Sequence, residues 1–501
     1  MVKNNTFEKL AKYNRIDPNE VEFSGLSRVD DVGRIFFWQG RVLRAINNHA
    51  IETVKSIFSS GMWNELVSEN LVPKSWITDY AMDGYGLIVE HEKIHPIIYP
   101  YEWSFSMFKD AAITVLRVNA IARKYGYQLK DCHGYNVAYD CMKPKYVDFG
   151  SFIKMEIDST GWLAYKEFLR YYYGPLFIWS SGNYYVARGT LLNESEIMPY
   201  DGYLLYRYPV LRLIDSDLLR MLTELYFKYG KISTTPYAKI KAKLPNYLGD
   251  LICFLKQKKL LPFQSVDPLS LIKNIQRIHK KEYGTKWGKY HDEYYDTYGR
   301  PVSSPRFDRI IDIMKSYNIK SVLEVGGNQG AFSRLLLERT KVECVVCTDY
   351  DENAVDLMYQ ASQNLNLALV PAVMDIITPS ITYFGKYPHE RFKSDVVMAL
   401  AVVHHLVLSQ KVSIAQVFKT LSAYSRRYVF IEFMPLGLYA GKSIPNVPSW
   451  YTLDWFRKSF ETYFRILLIE KLEKNRILFV GELLDENSAV PIFQSLHNTL
   501  G

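Results

Sequence analysis

Cysteine is scarce: there are five in 501 residues, and the number is odd. Cys132, Cys141, Cys253, Cys344 and Cys347 therefore argue against a disulfide scaffold and for a reducing compartment. Cys344 and Cys347 have CxxC spacing, but they sit in the apolar run Val342 to Cys347, which reads as a strand. Strand positions three apart point to opposite faces, so both read as core thiols, not as a zinc or redox pair. Long apolar runs are also missing. No stretch approaches about 20 uninterrupted apolar residues, so no membrane span is expected. The first residues, Met1 to Thr6, are polar and lack an apolar signal-peptide core. The cytoplasm is the expected compartment, with peripheral membrane attachment or a place in a biosynthetic complex left open. Internal repeats, low-complexity segments and RNA-recognition motifs are absent as well, which makes nucleic acid a poor candidate partner.

What is present is ordinary for a globular protein: 48% hydrophobic and 23% charged residues. At about 150 residues per domain the length suggests two or three domains. The net charge of +8 is mild. Its densest stretches are Lys256, Lys258 and Lys259, then Lys273, Arg277, Lys280 and Lys281. Such a field favours anionic or phosphorylated substrates; for any single run a solvated helix face is the better account. The 39 tyrosines offer flat faces that suit stacking on sugars or bases; an AT-rich genome favouring Tyr, Lys, Ile and Asn codons is the plainer account.

From Ser303 onward the pattern alternates strand and helix. Strands are expected at Ser321 to Val325, Glu343 to Thr348, Leu369 to Met374, Ser394 to Leu400 and Tyr428 to Phe433. Helices are expected at Ala331 to Thr340, Glu352 to Asn364 and Ile414 to Ser422. This alternation predicts a largely parallel sheet covered on both faces. Phe464 to Glu470 and Arg476 to Val480 read as a closing hairpin turning at Glu473-Lys474-Asn475.

The chemistry concentrates at the ends of these strands. Val322 to Phe332 is an apolar strand, a glycine turn and a helix start, with Glu324, Gly326, Gly327 and Gly330 in it and Asn328 in the middle glycine's usual place. Alone this is weak, because dinucleotide-binding folds share it. The next strand ends in Asp349, about 25 residues after Glu324, where a carboxylate can accept both hydroxyls of a ribose. Asp351 reads as the cap of the following helix. The third strand is followed by Asp375, and the fourth runs into His404 and His405. Imidazole titrates near neutrality, so one of these histidines is a candidate general base. The alternative is that they only line a pocket. Glu432, at the end of the fifth strand, is a further catalytic candidate, with a strand-end residue paired to a loop as its alternative.

This constellation resembles class I S-adenosylmethionine (SAM) dependent methyltransferases. The resemblance implies SAM as cofactor, with Glu324 and the glycines Gly326, Gly327 and Gly330 at its methionine end, Asp349 on the ribose and Asp375 on the adenine amino group. No Asn-Pro-Pro-Tyr-type base-methylating motif accompanies it, and no metal-ligand cluster is seen in this part.

The N-terminal half carries a second spacing. Asp131 and Asn136 are five apart, and Asp148-Phe149-Gly150 follows twelve later, as in a kinase catalytic loop and its metal-binding triplet. On that reading Asp131 orients a hydroxyl while Asn136 and Asp148 hold Mg²⁺ beside ATP, and Tyr99 to Trp103 is the hinge before a helix from Ser106 to Tyr125. A glycine-rich loop is lacking, and Arg44 stands where the phosphate-binding lysine is expected. Arginine does not replace lysine there. A degenerate domain that binds the acceptor or braces its neighbour is the other reading, and His133 is either a polar contact of that loop or a turn residue.

Over about Gly40 to Leu484 the chain resembles a family of bacterial SAM methyltransferases related to rhizobial host-specific nodulation proteins. The resemblance rests on Glu90-His91-Glu92, Tyr99 to Phe105, Leu129-Lys130-Asp131, Tyr135-Asn136-Val137, Val147-Asp148, Leu400-Ala401, His404-His405-Leu406 and Ile431-Glu432-Phe433. It implies a saccharide or lipid-linked glycan as acceptor. The expected architecture is α/β. Residues 1–155 form an α+β kinase-like region, 156–302 a helical middle, 303–484 a Rossmann-like methyltransferase and 485–501 a tail. The expected function is O-methylation of a glycan. Two alternatives stand beside it: a bifunctional enzyme that phosphorylates a glycan end and methylates the phosphate, using Mg and ATP, or a non-catalytic scaffold.

Overall fold

The computed structural model describes residues 14–28, 30–156, 161–192, 267–281, 294–296, 299–381, 385–439 and 447–484. Lys256, Lys258, Lys259, Cys253 and the tail 485–501 lie outside them. The chain divides into two compact units. Unit 1 gathers Met1–Ile94, Phe108–Ala138 and Pro144–Glu282; unit 2 gathers His95–Met107, Tyr139–Lys143 and Tyr283–Gly501. The segment holding Tyr99 to Trp103, expected as a hinge in the N-terminal region, thus belongs by its contacts to unit 2.

Unit 1 is built on a five-stranded antiparallel sheet. Its centre is the hairpin Gly33–Trp38 and Arg41–Ile46, flanked by Glu22–Phe23 on one side and by Leu87–His91 and Ser75–Ile77 on the other. Gln39 and Gly40 make the two-residue turn, both at positive φ (50° and 75°), as a twist-matched hairpin requires. Phe36, Leu43, Ala45 and Ile88 form the core of this sheet. In the middle region the described helical segments are Tyr165–Phe168, continued by the turn Leu169–Tyr173, then Gly174–Ser180, Tyr184–Leu191 and Pro268–Gln276. Phe108 packs on Tyr172 at 5.2 Å between ring centroids. Lys273, Arg277 and Lys281 are exposed, on or just after the last of these helices: that basic run is a solvated face.

Unit 2 carries a seven-stranded sheet. Its strands are β1 (Ser321–Val325), β2 (Cys344–Asp349), β3 (Leu369–Val373), β4 (Ser394–Ala399), β5 (Ser425–Phe433), β6 (Phe464–Glu473) and β7 (Arg476–Leu483). They lie in the order β3-β2-β1-β4-β5-β7-β6. The first five are parallel, and β7 runs antiparallel to both β5 and β6. Parallel strands buried on both faces need continuous apolar runs, and Val322, Leu323, Val345, Val346, Leu369, Val396 and Val397 supply them.

Helices α1 (Pro305–Met314), α2 (Ala331–Arg339), α3 (Glu352–Ser362), α4 (Ile414–Tyr424) and α5 (Leu453–Glu461) connect or cover the strands. Four begin at an oxygen cap, Ser304, Asp351, Ser413 and Thr452, each accepting a bond from a backbone N–H of the first turn. Such caps satisfy donors that the helix itself cannot. Cys347 is buried and Cys344 half-buried on β2, and both are free thiols.

The segment His95–Met107 is held to unit 2 by buried charge. Arg391 donates to both carboxylate oxygens of Glu102 at 2.9 and 2.6 Å, and to the carbonyl of Ile97. The backbone N–H groups of Phe105 and Ser106 donate to Glu352 and Asp356 at the start of α3.

Candidate active site

Parallel strands end together at one edge of a sheet, and a ligand crevice forms there. In unit 2 that edge opens on a cavity of about 310 Å³. Its floor is the β1 end and the turn that follows: Glu324, Gly326, Gly327 and Asn328. One wall is Asp349 and Tyr350, after β2; the opposite one is Leu400, Ala401, Val402 and His405, after β4. Arg306 and Phe307 of α1 and Arg476 of β7 complete it.

The turn demands its glycines. Gly326 has φ +65°, and a Cβ there would lie 2.6 Å from Val402. At Gly327 a Cβ would lie 2.3 Å from the Cys347 sulfur. Asn328 holds the middle position at φ 52°, a conformation that asparagine tolerates better than most residues. Gly330 caps α2 at φ +73° and packs towards Met358; it does not line the cavity.

Two carboxylates face the space between these walls. Asp349 accepts from the backbone N–H of Asn328 and of Asp351, each at 2.9 Å. A carboxylate has about four lone-pair sites, so acceptor capacity remains for a ligand hydroxyl. Burial raises its pKa to about 6. Glu324 accepts from the Ser333 hydroxyl, and burial pushes its pKa up to about 7. A buried carboxyl poised near neutrality is suited to a cationic ligand group, which would draw it into its charged form.

At the β4 end the backbone is strained. Ala401 sits at φ 56°, a left-handed conformation costly for a residue with a Cβ. The chain then enters a helical turn at His404 and His405, whose rings lie 4.0 Å apart. His405 lines the cavity, whereas His404 is buried behind it. Burial, aided by the charges of His405 and Arg476, lowers the His404 pKa to about 3. It is therefore neutral at physiological pH and a weak base. Its Nδ1 is enclosed with no hydrogen-bond partner.

The remaining candidates lie elsewhere. Glu432 is fully buried and does not line the cavity. It takes two bonds from Arg306, at 2.7 and 2.9 Å, and one from Arg476, at 3.1 Å. Asp375 is exposed, and its carboxylate closes its own turn onto Ile377 and Thr378. Sequence reasoning missed Arg306 and Arg476. The only local signs are the Ser304-Pro305 helix start before one and the hairpin turn before the other.

In unit 1, Asn136 donates to Asp131, which also accepts from the Ser151 hydroxyl. Asp148 accepts from the Gly150 N–H. Arg44, nearly inaccessible to solvent, is paired with Asp30 and stands 3.8 Å from Asp148. Burial raises the Asp148 pKa to about 6. No cluster of three or more histidine, cysteine or acidic side chains able to hold a metal occurs among the described residues.

The strand order, the reversed last strand and the acid-tipped β1 and β2 decide the fold of unit 2. It is the Rossmann-like fold of SAM-dependent methyltransferases. No family model matches the chain. The nodulation protein NoeA of Rhizobium meliloti is 24% identical over 430 residues, 81% of this chain and 83% of that protein. The match is longer than unit 2, so it extends beyond the methyltransferase fold. Among solved structures, a SAM-dependent methyltransferase from Aquifex aeolicus is 13% identical with a TM-score of 0.27, covering 36% of this chain and 100% of its own. The N-methyltransferase NodS of Bradyrhizobium japonicum is 12% identical with a TM-score of 0.27, covering 36% and 95%.

Proposed function

We propose that unit 2 transfers a methyl group from SAM to a hydroxyl of a glycan. The observation that carries this reading is the pair of buried carboxylates, Glu324 and Asp349, at the ends of adjacent parallel strands, facing one cavity across a glycine turn. The residues present fit the cofactor. Asp349 has acceptor capacity for ribose hydroxyls, Glu324 can meet an amino group, and Gly326 and Gly327 leave no side chain in the way. Bound there, SAM supplies a methyl group already activated on a sulfonium. The chain then has to align the acceptor oxygen and take its proton. His405 reaches the cavity at the β4 end and is assigned that proton. His404, buried behind it, positions it. Ser409, Gln410 and Tyr294 give the same cavity polar walls, which suits a hydroxyl-rich acceptor.

Calorimetric titration of the full chain with SAM tests the reading. Asp349→Ala is expected to weaken SAM binding by about 1–3 kcal/mol, the worth of buried hydrogen bonds left unmade. His405→Ala is expected to bind SAM normally and to lose turnover. Unchanged SAM affinity in a folded Asp349→Ala protein would overturn the site.

The kinase-like spacing in unit 1 is assigned to acceptor recognition and not to phosphoryl transfer. Arg44 occupies Asp30 and approaches Asp148, and Asn136 is engaged by Asp131, so the groups that would take Mg²⁺ already have partners. Heat on titrating Mg²⁺–ATP into the same sample would revive the bifunctional alternative. We place the reaction in the cytoplasm; no helix among the described residues is long and apolar enough to cross a membrane.

A further inference from the structure

We propose that the acceptor is an acidic saccharide, and that Arg476 seats its carboxylate or phosphate oxygens beside the methylated hydroxyl. This rests on the methyltransferase reading of unit 2 and names its substrate class.

Arg306, Glu432 and Arg476 form one buried group in which two guanidiniums share a single carboxylate. Arg306 is matched to Glu432 through two parallel bonds, the strongest arrangement the pair can adopt. Arg476 receives what is left: Nη1 donates once to the same carboxylate at 3.1 Å and weakly to the Met434 sulfur at 3.7 Å, and Nε donates to Glu473 at 3.0 Å. Glu473 is half exposed, so water screens that contact. Nη2 of Arg476 has no hydrogen-bond partner among the described residues. A guanidinium cannot shed its proton to escape burial. At the cavity wall the Arg476 fork therefore keeps a donor edge, Nη2, beyond the bonds it makes to Glu432 and Glu473, and an oxyanion is the ligand that fits it.

Position separates the two arginines. Arg306 acts electrostatically on Glu324, at the cofactor end. Arg476 acts on His404, at the β4 end where the proton is to be removed. Arg476 also leads β7, directly beyond the Phe433–Ile477 pair at the tip of β5. It thus faces the acceptor side of the cavity. Desolvation strengthens such a contact, and steering by it falls with added salt.

The test measures methyl transfer from SAM to three defined glycans: polygalacturonate, a phosphomannan and neutral dextran. Transfer to one or both acidic glycans and not to dextran is expected. Polygalacturonate alone would identify a carboxylate and phosphomannan alone a phosphate. Arg476→Gln is expected to lower kcat/KM on the accepted glycan about ten- to a hundredfold, the worth of a charge-assisted hydrogen bond, mostly through KM. SAM affinity should stay as in the wild type, which also shows the variant is folded. Arg476→Lys, keeping the charge without the fork, should recover part of the loss.

Equal use of dextran, use of neither acidic glycan, or a loss of SAM affinity instead of acceptor affinity in either variant would overturn the proposal. Failure of the methyltransferase reading shows differently: the wild type would not bind SAM at all.

Discussion

Glu324 carries a proton-linked consequence of its burial. Its carboxyl is raised from an ordinary value near 4.5 to about 7 in the folded chain. The native state then holds a proton that the unfolded state has released, so stability is highest below the unfolded pKa and falls as pH climbs from about 4.5 through 7. The size is roughly 3 kcal/mol, and Asp349 adds to it in the same direction up to about pH 6. A cationic group held against Glu324 would reverse its preference and expel the proton. The ligand-free protein is therefore expected to melt lower at pH 8 than at pH 5.5, and SAM to bind more tightly at the higher pH. Thermal melts at both pH values, with and without SAM, check this. The same pH slope in both conditions would remove Glu324 from the cofactor site.

Among the elements, the parallel strands were the most legible. Runs such as Val322-Leu323 and Val345-Val346 must be apolar throughout because both faces are covered, and the pattern survives without knowing the partner. The hairpin turn at Lys474-Asn475 and the glycine turn after β1 were legible for local reasons too. Arg306 and Arg476 were not, because each becomes meaningful only through Glu432, 126 and 44 residues away. Glu432 itself shows the reverse case: a strand-end acid reads as catalytic until the cations that cover it are seen. Helix α1, which delivers Arg306, depends on its cap. Ser304 accepts from the Phe307 N–H at 3.2 Å. Ser304→Ala is expected to cost about 1 kcal/mol and to lower the melting temperature, which a thermal melt would show. An unchanged melt would mean that packing of Phe307 and Ile310 alone sets the helix start.

For the whole molecule, the division into units does not follow the chain. A reading by periodicity places the methyltransferase start near Ser303, because that is where strand–helix alternation begins. The structure adds His95–Met107 and Tyr139–Lys143 to the same unit. Their contribution is a long-range one, Glu102 to Arg391, 289 residues apart, and no local pattern announces it. A fragment comprising 303–501 would lose the Glu102–Arg391 pair and the bonds from Phe105 and Ser106 to Glu352 and Asp356, and would bare the surface of unit 2 that His95–Met107 covers. It is expected to be poorly soluble or to melt well below the full chain. A cooperative melt at the full chain's temperature would show that the N-terminal segments are dispensable.

The position of β7 has a consequence during synthesis. It is the last of the described strands in chain order, yet it lies between β5 and β6 and not at the sheet's edge. While a ribosome is still building the chain, β5 has a vacant side and β6 has no neighbour. The arginine that begins β7 emerges only after most of the chain has left the exit tunnel. A product cut short before Arg476 would therefore keep the glycine turn after β1 and lack the β7 side of the cavity.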